Sequence, residues 1–348
     1  MKKFEHGGQI YNADGTTGDW LDFSANINPL GISEKIRAAI IENLDSVKNY
    51  PDPNAAELKA AIFQRYKVPP ENLILLNGAA EFFYLYLNVT RSQKILIPVP
   101  SFSEYERAAR AINAEIIYFY THAEENFQID AEKILAQNAD LIIFGRPQNP
   151  TGNLISLDAI KKISANKNIL VDESFIDFLK VESARQLVSG KISVVQSLTK
   201  ILAIPGLRLG FAVAEKNLAE KLNAAKDVWN VNFLAQKAGV AALADEKFFD
   251  DTRNWLQAEK NFFVERLKKI PRLQVFEPTA NFVLLKFDTA EIAQSMLKKL
   301  RQEKILLRSC ENFAGLDGRF LRSAIRSHEE NLKLLNAMEK ILNLYISN

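Results

Sequence analysis

Lys200 is the residue around which a chemistry can be written. It lies in Ser197-Leu198-Thr199-Lys200-Ile201-Leu202-Ala203-Ile204-Pro205-Gly206-Leu207-Arg208-Leu209-Gly210, between apolar, β-branched runs at 192–195 and 209–213. Strand patterns on both sides put the lysine on a connection at a strand end, where sites tend to sit. Its amine is a nucleophile able to form a Schiff base with an aldehyde cofactor. Ser197, Thr199 and Arg208 add two hydroxyls and a fork of N–H donors, a set suited to that cofactor's phosphate. The plainer reading is one solvated lysine among many, the usual state of lysines; the surrounding motifs weigh against it.

Those motifs each follow an apolar run. Asn77-Gly78-Ala79-Ala80-Glu81 sets a glycine turn ahead of a helix, so the backbone N–H groups of Gly78, Ala79 and Ala80 suit a phosphate. Helix starts with glycine are common, and Ala80 can offer no side-chain contact. In Pro100-Ser101-Phe102-Ser103-Glu104-Tyr105, Phe102 can present an aromatic face to a cofactor ring or simply fill a core. Arg146-Pro147-Gln148-Asn149-Pro150-Thr151-Gly152 is a turn fixed by proline and glycine that carries the amide of Asn149. Val171-Asp172-Glu173-Ser174-Phe175 ends an apolar run in a carboxylate, which serves either a site or a turn. No Gly-x-Gly-x-x-Gly occurs, against a nicotinamide-type dinucleotide site.

The elements that must position these residues alternate. Apolar runs at 73–76, 95–97, 116–119, 141–144, 169–171 and 194–195 read as buried strands, and helical patterns at 79–89, 104–112 and 157–165 separate them. That order predicts an α/β domain with a mostly parallel sheet covered on both faces and its ligand outside the carboxyl ends of the strands. Residues 1–20 are polar and glycine-rich and read as a loose arm. Ser33 caps a helix to about residue 45, and the two prolines of Asn49-Tyr50-Pro51-Asp52-Pro53 exclude helix there. Beyond Trp229 a helical region at 235–270, read as two helices, precedes strands at 273–276, 281–286, 305–308 and 320–325. The domains expected are 1–48 (arm and helix, part of the small domain), 49–231 (large) and 232–348 (small, α+β).

A chain of 348 residues, 47% hydrophobic, is long enough for two domains, and a net charge of +2 argues against a nucleic-acid or membrane-surface partner. The lone cysteine, Cys310, excludes an internal disulfide and fits a reducing cytoplasm. His6, His122 and His328 lie far apart, without zinc-ligand spacing, so no metal is expected. No secretory leader and no bilayer-long apolar run is visible, so the expected location is cytoplasmic.

Taken in order over nearly the whole chain, these motifs resemble those of fold-type I pyridoxal-phosphate (PLP) enzymes of the class I/II aminotransferase family. Within it they are most similar to the branch holding histidinol-phosphate aminotransferase and L-threonine-O-3-phosphate decarboxylase. The resemblance implies a large domain with a mostly parallel, seven-stranded-type sheet and a small α+β domain. It implies that Lys200 anchors PLP, Asp172 pairs with the pyridine nitrogen, and Asn149 donates to the phenolic oxygen. Phe102 then covers the ring, while Gly78, Ala79, Ala80, Ser197, Thr199 and Arg208 hold the phosphate. Tyr50 matches a tyrosine that reaches the neighbouring subunit's cofactor phosphate, which implies a homodimer. Arg322 matches the arginine that grips a substrate carboxylate. His6-Gly7-Gly8 and Ser24-Ala25-Asn26-Ile27-Asn28-Pro29-Leu30-Gly31 are similar to the decarboxylase N-terminus. His6, Asn26 and Arg308 would there meet the substrate phosphate.

Two departures matter. Gln148 replaces the first asparagine of the family's Asn-Asn-Pro-Thr-Gly, and Phe175 stands where many transaminases have a phenol that donates to the cofactor. Phenylalanine is more at home in the decarboxylases. The expected reaction is therefore decarboxylation of L-threonine O-3-phosphate to (R)-1-amino-2-propanol O-2-phosphate, a cobalamin-precursor step. The alternative is histidinol-phosphate:2-oxoglutarate transamination. Which bond to Cα breaks depends on which one stands perpendicular to the ring. A PLP-fold regulator would carry a fused DNA-binding domain, for which the N-terminal stretch is short, and the intact lysine, aspartate, asparagine and arginine argue against a non-catalytic copy.

Overall fold

The computed structural model describes residues 6–346. Its chain begins with a short strand, β1 (Leu21–Asp22), and then lays down β2 (Leu73–Leu76), β3 (Lys94–Val99), β4 (Glu115–Tyr120), β5 (Leu141–Gly145), β6 (Asn168–Asp172), β7 (Ile192–Ser197) and β8 (Gly210–Val213). The last seven form one sheet in the order β2-β8-β7-β6-β5-β3-β4. β8 is antiparallel to both of its neighbours, and the pairs from β7 to β4 are parallel. Alternate residues of the central strands enter different cores. Leu141 and Ile143 pack on one face with Ile97 and Leu170, whereas Ile142 and Phe144 pack on the other with Leu96, Ile169 and Val171. Burial on both sides is why these strands read as unbroken apolar runs.

A second, four-stranded antiparallel sheet has the order β12-β13-β10-β9, from β9 (Leu273–Val275), β10 (Phe282–Phe287), β12 (Arg308–Ser309) and β13 (Phe320–Ala324). The run 305–308, read as a single strand, is two. β11 (Ile305–Leu306) pairs in parallel with β1, and only after Leu307 does the chain join β13. The split follows from backbone bonding: the N–H of Leu21 and of Phe23 donate to Lys304 O and Leu306 O, while Cys310 N turns to Phe320 O.

Ser33 caps the first helix by accepting from Ile36 N, but that helix, Glu34–Glu42, stops short of residue 45 and passes into a 3-10 turn, Leu44–Lys48. It packs on Phe233–Leu243. The region 235–270 is indeed two helices, Phe233–Leu243 and Glu246–Leu267. The expected loose arm is seated from residue 6 onward. Gly7 approaches Ser24 so closely that a Cβ would lie 2.1 Å from its carbonyl oxygen, and Gly8 N donates to Ser24 Oγ at 2.8 Å. Two glycines let the backbone press where a side chain would not fit. Among the described residues, no helix is long and apolar enough to cross a membrane.

Candidate active site

Lys200 sits in the connection between β7 and β8, whose antiparallel pairing sets Ser197 opposite Gly210. Its Nζ donates to Ser197 Oγ at 3.0 Å, and that hydroxyl shares a 2.7 Å bond with Thr199 Oγ1. Asn28 fixes the main chain around it. Asn28 N donates to Lys200 O at 3.1 Å, and Asn28 Nδ2 donates at 2.8 Å to both Ile201 O and Thr252 Oγ1. Burial lowers the amine's pKa to about 8; the Asp172 charge pulls the other way, and Arg208 and Arg322 add to the lowering. Three of the expected site residues therefore act on the same nitrogen.

Asp172 ends β6. Its Oδ1 accepts from Ser174 N at 2.9 Å and Ser174 Oγ at 2.5 Å, and its Oδ2 accepts from Tyr105 OH at 2.7 Å. Burial, reinforced by Asp172, pushes the Tyr105 phenol well up, so it stays a donor. The carboxylate holds its own turn and keeps capacity to spare: four lone-pair sites take three protein donors and leave room for another. Phe175 follows, its ring centre 5.6 Å from Lys200 Nζ and edge-on to Phe282.

Gly78 turns the chain from β2 into the helix Ala80–Thr90 with φ +79°, and a Cβ there would stand 2.2 Å from the Arg208 guanidinium. Ala79 at the N-cap gives no side-chain cap. Bare N–H groups at a helix start beneath an arginine make an anion cradle. Gly210 closes its rear, since a Cβ would lie 2.9 Å from Ala79 N. The cradle therefore backs directly onto the strand facing Ser197.

Asn149 Oδ1 accepts from Arg322 Nη1 at 2.6 Å, which turns its amide nitrogen away from the arginine. Gln148 holds the turn in place. Its Oε1 takes Gly145 N at 2.6 Å, and its Nε2 donates to Pro98 O and Pro100 O at 3.0 and 3.1 Å. The substitution in the motif is thus a scaffold contact. Arg322 also donates to Ser24 O at 2.6 Å and lies directly across the β12–β13 pair from Arg308. Both arginines are 6% exposed. Burial brings Arg322 down to about 10, with Cys310 opposing and the Arg308 charge adding to the fall. Arg308 donates to Asn312 Oδ1 at 2.8 Å. Nearby, Arg322 Nε and the buried Asn26 Oδ1 lack a hydrogen-bond partner.

His6 reaches the same region from the arm, with Nε2 2.9 Å from Glu104 Oε1 and its ring centre 5.7 Å from that of Phe102. Tyr50 is the one expected site residue not drawn in. It is 78% exposed and stacks on Trp229 at 4.4 Å, on a surface with exposed Ile41, Leu44 and Val47. Sequence reasoning missed Tyr105, Glu104 and Asn28. The first two stand three and two residues past Phe102, and Asn28 lies inside the quoted N-terminal motif.

The family model for aminotransferase class I and II matches residues 18–338. The threonine-phosphate decarboxylase of Salmonella typhimurium is 35% identical over 352 residues, 97% of this chain and 96% of that one. Among solved structures, histidinol-phosphate aminotransferase from Clostridium acetobutylicum superposes with TM-score 0.86 at 33% identity, covering 92% of this chain and 99% of that one. L-threonine-O-3-phosphate decarboxylase from Porphyromonas gingivalis gives 0.83 at 26%, with the same coverage. The chain belongs to the aminotransferase class I and II family, whose enzymes depend on PLP.

Proposed function

We propose that this family member decarboxylates L-threonine O-3-phosphate to (R)-1-amino-2-propanol O-2-phosphate. The residues present fit the cofactor: a buried amine, a carboxylate with a lone pair to spare, and an anion cradle that a Cβ on Gly78 would fill. Lys200, Asp172, Asn149 and Phe102 would hold its ring, and Gly78, Ala79, Ala80, Ser197, Thr199 and Arg208 its phosphate. Bound there, PLP supplies a sink for the electron pair left at Cα when one of its bonds breaks.

The protein's own part is grip and proton transfer. Arg322, set by Asn149 and Ser24, takes the substrate carboxylate. Arg308, with His6 and Asn26, takes the substrate phosphate. A substrate held at both ends cannot turn about Cα, so the two grips choose the bond that breaks. Lys200, hydrogen-bonded to Ser197, then returns a proton to Cα.

The observation that carries this reading is the cross-strand pair Arg308 and Arg322, two buried cations that one ligand with two anions can reach together. Phosphothreonine carries a carboxylate and a phosphate on neighbouring carbons, whereas histidinol phosphate has no carboxylate and would leave Arg322 to the dicarboxylate half of a transamination. The test is a product assay on the holoenzyme. Carbon dioxide and the amino-alcohol phosphate should appear without 2-oxoglutarate. No carbon dioxide, together with glutamate formed from histidinol phosphate and 2-oxoglutarate, would overturn the reading in favour of the aminotransferase. We also propose a homodimer in which Tyr50 serves the partner's cofactor phosphate, supported by its exposure amid apolar neighbours.

A further inference from the structure

Glu104 is a buried carboxylate that none of these roles uses. It lies in the first turn of the helix Ser103–Ala111 and is 6% exposed. Its Oε1 meets His6 Nε2 at 2.9 Å and Arg107 Nη1 at 3.5 Å, and its Oε2 accepts from Tyr84 OH at 2.9 Å. Burial works to raise this carboxyl, but the hydrogen bonds from His6 and Tyr84 outweigh it and hold it below the usual range, so it is ionised at neutral pH. The Tyr84 phenol is pushed up to about 12, by burial first and then by Glu104, and remains a donor. Tyr84 belongs to Ala80–Thr90, the helix whose start forms the anion cradle, so Glu104 is braced from the cofactor side.

His6 comes from the opposite direction. Its neighbours Gly7 and Gly8 press on Ser24, whose carbonyl also takes Arg322 Nη2. The contact of Gly7 and Gly8 with Ser24 thus links the carboxylate grip, through His6, to the Glu104 carboxylate. The loop after Arg308 approaches the same place. Ala314 packs in the cluster that holds Phe102, and a Cβ on Gly315 would lie 3.7 Å from Pro100 N.

We infer that Glu104 is a positioning residue: it takes the Nε2–H of His6 and so presents the ring's other nitrogen, Nδ1, to the phosphate of the substrate. The inference rests on the reading of His6 as a phosphate ligand given above. An imidazole has two nitrogens, and the hydrogen bond made by one fixes what the other can offer. With Nε2–H given to Glu104, a neutral ring would turn a lone pair on the phosphate. Only the doubly protonated ring donates to both anions, with a carboxylate on one side and a phosphate on the other. Phe102, its ring centre 5.7 Å from that of the imidazole and inclined to it by 50°, limits its swing.

A double-mutant cycle tests this. Dissociation constants for O-phospho-L-threonine are read by rapid mixing, from the change in cofactor absorbance that precedes turnover, in wild-type, H6Q, E104Q and doubly substituted holoenzyme. Losing one charge-assisted hydrogen bond should weaken binding about tenfold in E104Q, with no further loss in the H6Q background. An equal loss with and without His6 overturns the inference, because a merely structural role would not depend on the imidazole. Should E104Q fail to load the cofactor, Y84F, which leaves the carboxylate in place, gives a second cycle with the same criterion. The protein has three histidines, so nitrogen-15 histidine spectra assigned with H6Q give a direct view. Nε2 of His6 should carry a proton in wild type and lose that preference in E104Q; an Nε2 without a proton in wild type overturns the inference. The cycle is repeated with histidinol phosphate. An additive cycle alongside carbon dioxide release rejects Glu104 alone, whereas coupling seen only with histidinol phosphate rejects the substrate reading and keeps Glu104.

Discussion

The amine of Lys200 must be neutral to attack an aldehyde, and burial brings its pKa to about 8 in the protein without cofactor. Below that pH the neutral fraction falls about tenfold per unit, so loading of PLP into the apoprotein should accelerate with pH up to about 8 and level off above it. Stopped-flow absorbance measures this; a rate flat between about pH 6 and about pH 9 would contradict the titration. K200A should abolish both the cofactor's absorbance shift and turnover. At this scale the sequence was informative wherever a residue ends an apolar run or lies in a proline–glycine turn, as Lys200, Asp172 and Asn149 do. Tyr105 and Glu104 escaped because their partners, Asp172 and His6, are 67 and 98 residues away. Asn28 binds Ile201 at a separation of 173. Such contacts exist only once the sheet has gathered its strand ends.

The cradle at Gly78 depends on the turn between β2 and its helix. A side chain there meets both a left-handed backbone, at roughly 1–2 kcal/mol, and the Arg208 guanidinium. G78A should weaken PLP binding at least about tenfold with an unaltered far-ultraviolet circular dichroism spectrum; equilibrium dialysis gives the affinity. An unchanged dissociation constant would mean that this turn does not carry the phosphate. The alternation of strands and helices was legible because each central strand buries both faces. The division of 305–308 was not, since the apolar run of β11 passes through Leu307 into Arg308 of β12 with no turn residue between, and the two strands part only in the backbone they pair with. The arm was misread for a similar reason: its polar composition is real, but Gly7 and Gly8 are there for close approach to Ser24.

For the whole molecule, Tyr50 sits apart from the Lys200 cleft of its own chain, so its role can be tested by exchange between subunits. Y50A and K200A, each inactive or impaired alone, should on mixing and subunit exchange recover about a quarter of wild-type activity. Half of the dimers would then be mixed, and each of these would hold one complete site of its two. Sedimentation should give twice the 39.3 kDa chain mass. Failure to recover activity in demonstrated mixed dimers would confine Tyr50 to the surface. Apart from Tyr50, this surface was not legible, because apolar residues at a helix end and in a turn read as core-facing, whereas the structure buries only Ile36 of that helix and leaves Ile41, Leu44 and Val47 exposed.

Because β7 and β8 are hydrogen-bonded neighbours, with Ser197 facing Gly210, the dozen residues that join them form a loop of fixed endpoints. Adding or deleting a residue within it would leave every sheet pairing intact and still carry the amine off its mark against Asp172. Length variation in this loop would therefore yield well-folded proteins with no chemistry, which makes its residue count as much a part of the site as the lysine it bears.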